Sequence, residues 1–242
     1  MPDLSPTIDS ILATVKSDFS GLSIEAIAED TTAGISINTS ATSMVQYWTN
    51  TLNVAVQYGT IYFEFNTSGI ASADDIDTAT LKIYVESIDN GGLDFYACRG
   101  FLASDGAIAA GDLPAYTRDA SGATPDISDI TKYSSKIDCS ELSTSAFNNI
   151  TLNSTALADM SSLDSFKIVI MGYDYDYADS APPGTGNNLG ITYSEYTGTT
   201  RDPKIVYVDS AAYSQDVGGV PAANISKING IAIADISKVN GV

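Results

Sequence analysis

From Gly34 onward, apolar and polar positions alternate in short runs separated by turn residues, the period-two signature of half-buried strands. In Thr60-Ile61-Tyr62-Phe63-Glu64-Phe65, Ile61, Phe63 and Phe65 share one face and Tyr62 and Glu64 the other. Residues 79–88 carry the pattern most strongly, with Leu81, Ile83 and Val85 facing one way and Lys82, Tyr84 and Glu86 the other. Further strands are expected at 35–37, 44–48, 52–57, 93–98, 148–153, 165–173, 189–193 and 204–208. Turns are expected at Thr49-Asn50 and over 66–69, and Tyr58-Gly59 leads from the strand at 52–57 into the one at 60–65. Asp89-Asn90-Gly91-Gly92 is a tight-turn signature, because Asn-Gly supplies positive φ angles, so residues 93–98 are expected to return as the hairpin partner of 79–88. Residues 155–160 suit a turn of helix and residues 100–135 suit long loops.

Two segments depart from this period. Ile8, Ile11, Leu12 and Val15 recur at helical spacing and Gly21 follows as a stop, which predicts a short helix in an N-terminal arm over residues 1–33. Residues 34–209 then form one sandwich, and 210–223, with Gly218-Gly219 and Pro221, read as a linker. In the tail, residues 224–242, Asn224-Ile225-Ser226-Lys227-Ile228-Asn229-Gly230-Ile231 recurs eleven residues later as Asp235-Ile236-Ser237-Lys238-Val239-Asn240-Gly241-Val242. Each unit suits a short strand and an Asn-Gly turn, and two such units cannot bury a core. Ile225, Ile228, Ile231, Ile233, Ile236 and Val239 are therefore expected to dock on the chain's own domain or on a neighbouring subunit.

Composition narrows the partners. With 30 acidic against 11 basic residues the net charge is −19, which disfavours nucleic acid and anionic membrane surfaces and leaves calcium, basic partners and neutral glycans. The first residues lack a basic region followed by an apolar run, so no secretory signal is read there. Cys98 and Cys139 either pair or sit as small buried hydrophobes; buried thiols are the expectation, since disulfide scaffolds are denser in cysteine.

The stretch 60–85, with Asn66-Thr67-Ser68-Gly69-Ile70 and Ala79-Thr80-Leu81-Lys82-Ile83-Tyr84-Val85, resembles the opening of DNRLRE-type jelly-roll modules. Asn149-Ile150-Thr151-Leu152-Asn153, residues 166–173, Pro182-Pro183-Gly184, Ser194-Glu195-Tyr196-Thr197-Gly198-Thr199 and Asp202-Pro203-Lys204-Ile205-Val206 resemble the closing segment of that family. The resemblance covers residues 35–209 and implies an all-β jelly-roll sandwich of the kind found in carbohydrate-binding modules, microbial surface proteins and phage structural proteins. The Arg in the family's first strand is replaced by Tyr62 or Glu64, depending on alignment, which removes any contact that Arg carries. The terminal repeat resembles C-terminal tags of phage and marine virion proteins.

The absence of histidine removes the usual general base, most zinc sites and the Ser-His-Asp triad, so no catalytic residue is assigned. Asp174, Asp176 and Asp179 alternate along one loop and are a candidate calcium site, although they lack the glycine and bidentate Glu of an EF-hand. Tyr173, Tyr175 and Tyr177, with Tyr193 and Tyr196, are candidates for a glycan platform or a subunit interface. The expected function is that of a non-catalytic, homo-oligomeric structural or surface protein of a bacteriophage-like virion, made in the host cytoplasm without a cofactor. A carbohydrate-binding module or adhesin is the first alternative, and an extracellular filament or surface-layer subunit the second.

Overall fold

Alternation in two long strands sets the architecture. Ile61, Phe63 and Phe65 of β5 (Ala55–Asn66) and Ala79, Leu81, Ile83 and Val85 of β6 (Ile76–Asp89) are buried in one common core. The protein is represented by a computed structural model that describes residues 2–16, 34–38, 43–51, 55–70, 76–89, 94–100, 130–173, 187–192, 200–209, 227–228 and 231–232.

These two strands belong to facing antiparallel sheets, the arrangement of an all-β sandwich. In the first sheet, β6 lies between β8 (Phe147–Thr151) and β11 (Lys204–Asp209), and β1 (Asp3–Leu4) adds to β11. In the second, the order runs from β7 (Phe95–Arg99) through β9 (Ser165–Gly172), β5 and β2 (Pro6–Lys16) to β3 (Gly34–Asn38). Strand β4 (Ser43–Thr51) pairs with the opening half of β5. Strand β10 (Asn187–Thr192) pairs with both β4 and the closing part of β6, which joins the two sheets along one side.

The first sheet adds Ile150 and Ile205 to the core, and the second adds Phe95, Ala97, Phe166, Ile168 and Ile170. Burying one such side chain contributes about 1.5–3 kcal/mol, so the shared layer holds the strands more firmly than local propensity does. Helix α1 (Ser154–Ser162) buries Ala156 and Met160 against this core, as the helical turn expected at 155–160 requires. Asn153 starts it: its Oδ1 accepts from the Ala156 N–H at 3.1 Å, and its Nδ2 donates to the Lys132 carbonyl at 2.7 Å.

Four local expectations are corrected. Residues 8–15 form no helix; they lie in β2, which pairs with β5 from Pro6 opposite Phe65 to Lys16 opposite Val56 and with β3 on its other side. A helix of that length is marginal alone, whereas two ladders satisfy the backbone on both sides, and Thr7, Ile8, Ile11, Thr14 and Val15 are β-branched. Thr49-Asn50 is strand, not turn, with Asn50 opposite Val56. Gly59 also sits inside a strand, flanked by Ala13 and Tyr47, so the two strands expected around it are one. Finally, β7 does not return beside β6: it pairs with β9 in the opposite sheet. Its inward face, Phe95 and Ala97, completes the core from the far side, and that burial overrides the local turn signature.

Cys98 and Cys139 are both buried and neither is in a disulfide. The geometry explains it. Cys139 lies in the core with Phe95 and Ala97, and Cys98, one residue on from Ala97, points to the opposite face of β7. There it lies in register beside Val169 and Tyr62, all three fully buried, so this part of the second sheet is covered on both faces.

Candidate functional site

Three polar constellations lie at the margins of the sandwich. At the junction of β7 and β9, Tyr96 and Tyr173 meet edge to face with ring centroids 5.8 Å apart. Lys132 lies 4.9 Å from the Tyr96 ring and Lys136 4.6 Å from the Tyr173 ring. Asp94 ties the group together: one carboxylate oxygen accepts from Lys136 at 2.6 Å, the other from the Cys139 N–H at 3.0 Å, and its carbonyl accepts from the Tyr173 N–H. Tyr173 is the one expected glycan-platform residue whose side chain is described, and a lysine occupies one face of its ring.

The second constellation is a cleft of about 330 Å³ lined by the polar residues Thr7, Glu64, Asn66, Ser68, Asp164 and Ser165. Glu64 is buried, and its carboxylate accepts from Ser165 Oγ at 2.6 Å and Tyr62 Oη at 3.3 Å. Thr7 donates to the Glu64 carbonyl at 3.1 Å. Asn66 folds its side chain over the turn, accepting from the Ser68 N–H and hydroxyl. The walls therefore present carboxylates, an amide and hydroxyls, groups suited to hydroxylated ligands.

The third lies on the outward face of the first sheet. Tyr84 and Phe147, opposite one another on β6 and β8, meet edge to face at 5.9 Å. Arg201 covers Tyr84 at 4.5 Å and pairs with Glu86 at 3.3 Å, while Lys204 lies 5.9 Å from Phe147 and pairs with Asp3 at 3.5 Å. Six side chains thus link β1, β6, β8, β11 and the segment leading into β11. The alternation in residues 79–88 places Lys82, Tyr84 and Glu86 on this face from sequence alone; their partners on β8 and β11 follow only from register.

Inside the fold, Tyr133 stacks on Phe166 at 4.9 Å and donates to Asp159 Oδ2 at 2.5 Å, the oxygen that Arg99 approaches at 3.7 Å. Burial, and next the hydrogen bond to Asp159, push the Tyr133 hydroxyl far above its ordinary ionisation range. No sequence signal marks this residue.

Asp174, Asp176, Asp179, Tyr175, Tyr177, Tyr193 and Tyr196 lie outside the described residues, as do Ile225, Ile233, Ile236 and Val239. Ile228 of β12 (Lys227–Ile228) pairs with Ile231 of β13 (Ile231–Ala232), an antiparallel ladder within the tail that, among the described residues, joins no other strand. Among the described residues no group of three or more His, Cys, Asp or Glu is placed to hold a metal ion, and no helix is long and apolar enough to cross a membrane. No protein-family model matches the chain, and no curated protein matches it either.

Proposed function

We propose that the chain is a non-catalytic structural or surface protein of a bacteriophage-like particle, in which copies associate through their terminal segments. The observation that carries this reading is the β12–β13 ribbon. It belongs to the terminal repeat, its ladder joins no other strand among the described residues, and a two-stranded ribbon of this size is not stable without a surface to cover it. Antibody labelling of purified particles tests the assignment: the chain is expected on intact particles, and its absence from them overturns the reading. Native mass spectrometry of the assembled protein, with and without residues 224–242, is expected to show loss of the higher-mass species on deletion.

A carbohydrate-binding role is supported by the polar cleft around Glu64 and Asp164 and by the tyrosine pair Tyr96 and Tyr173. It predicts specific signals on a glycan array that are lost on Tyr175→Ala or Tyr196→Ala. Silence at millimolar sugar rejects it.

A further inference from the structure

The outward face of the first sheet carries a lysine that has no counter-ion among the described residues. Lys204 on β11 pairs with Lys82 on β6, and Lys82 with Asn149 on β8, so the three form one row across the sheet. Their neighbours Ile205, Leu81, Ile83 and Ile150 are in the core, which puts the whole row on the outer side. Two lysines directly opposite one another repel. Asp3 offsets Lys204 and Glu86 offsets Arg201, but among the described residues no carboxylate is within ion-pair distance of half-buried Lys82. This occurs in a chain with 30 acidic residues and 11 basic ones, where a neighbouring carboxylate is easily supplied.

The geometry points to this face as a contact with a second copy of the chain, whose acidic surface provides the carboxylate that Lys82 lacks. The inference rests on the assembly reading above and names one of the surfaces involved. Charge complementarity selects the occupant: the face presents Lys82, Lys204 and Arg201 against Glu86 and Asp3, whereas the chain as a whole is at −19. Half-buried Tyr84, Phe147 and Arg201 add the residue types enriched at protein interfaces.

The same charges fix the symmetry. A two-fold contact centred on this row is disfavoured, because Lys82 and Lys204 of one copy then confront those of the other. The contact is heterologous, head to tail, and such contacts close into rings or extend as open chains rather than stopping at a two-fold dimer.

Full-length protein is tested by sedimentation and native mass spectrometry at low and at about 0.5 M salt, alongside Lys82→Glu, the milder Lys82→Gln and a chain lacking residues 224–242. Circular dichroism and thermal melting check that each variant is folded. Wild-type assemblies larger than a dimer are expected at low salt and are expected to dissociate as salt screens the contact. Lys82→Glu is expected to raise the concentration for half-association roughly tenfold, with Lys82→Gln between it and wild type. Wild type that assembles while both folded Lys82 variants match it overturns this inference and leaves the assembly reading standing. A wild-type chain that stays monomeric at every salt concentration and is absent from particles overturns both. Unchanged assembly with Lys82-dependent retention on a polyanion column also overturns the inference, in favour of a polyanionic ligand.

Discussion

Tyr133 shows how one side chain can fasten distant segments. Its ring packs on Phe166 of β9, its hydroxyl holds Asp159 of α1, and its backbone N–H and carbonyl bond Ala97 and Asn153. Tyr133→Phe keeps the stack but removes the hydroxyl donor to Asp159, leaving it only Arg99, which is expected to cost about 2 kcal/mol, measured as a shift in urea midpoint at constant slope. The pH dependence follows from the raised ionisation of this hydroxyl. An unfolded tyrosine ionises near pH 10.0 and the folded one does so only at higher pH. The stability it provides is therefore complete below pH 10.0 and is lost as pH rises above it, so wild type is expected to weaken more steeply in alkali than Tyr133→Phe. Gly100 is limited in a different way: a Cβ there meets Tyr62 Cε2 at 3.0 Å and Lys167 Cβ at 3.2 Å. Gly100→Ala is expected to lower the thermal midpoint through overpacking worth about 1–3 kcal/mol. Neither residue stands out in the sequence, since both gain their roles only from long-range neighbours.

At the scale of elements, legibility depends on whether a segment's own pattern decides its structure. Strands β6 and β11 are legible because burial on one face imposes a period of two on the residues themselves, and β5 and β9, buried on both faces around Tyr62 and Val169, are legible from their β-branched and aromatic residues. Helix α1 is legible too, and its stability rests on its cap: Asn153→Ala removes both the bond to the Ala156 N–H and the one to the Lys132 carbonyl. A loss of about 1–2 kcal/mol is expected in chemical unfolding, with earlier hydrogen exchange at the start of the helix. Pairing partners are not legible. The segment 8–15 carries a helical spacing of its apolar residues, and only its ladders with β5 and β3 select the extended form. The glycine-rich sequence after β6 suits a hairpin, yet the apolar face of β7 is worth more against the core than beside β6. Of the expected site, sequence places Tyr173 next to the acidic run 174–179, but its neighbours Tyr96, Lys132 and Lys136 come from separate segments that nothing local connects.

For the whole molecule, charge is the strongest influence outside the core. Thirty acidic residues against eleven basic ones repel one another in the folded state more than in the expanded chain. Raising ionic strength from about 0.01 to about 0.15 M shortens the screening length from about 30 to about 8 Å, so the thermal midpoint in calorimetry is expected to rise with salt. A midpoint that falls with salt means that the ion pairs at Asp3, Glu86, Asp94 and Asp159 outweigh the repulsion. The pairing of β1 with β11 also governs how the chain is made. Asp3 and Lys204 are 201 positions apart. At about 5–20 residues per second of synthesis, the opening strand waits about 10–40 s for its partner to leave the ribosome. Once β6 has emerged, and until β11 follows it, the edge of β6 that β11 will cover stays unpaired, a row of open backbone groups that the finished sandwich does not present.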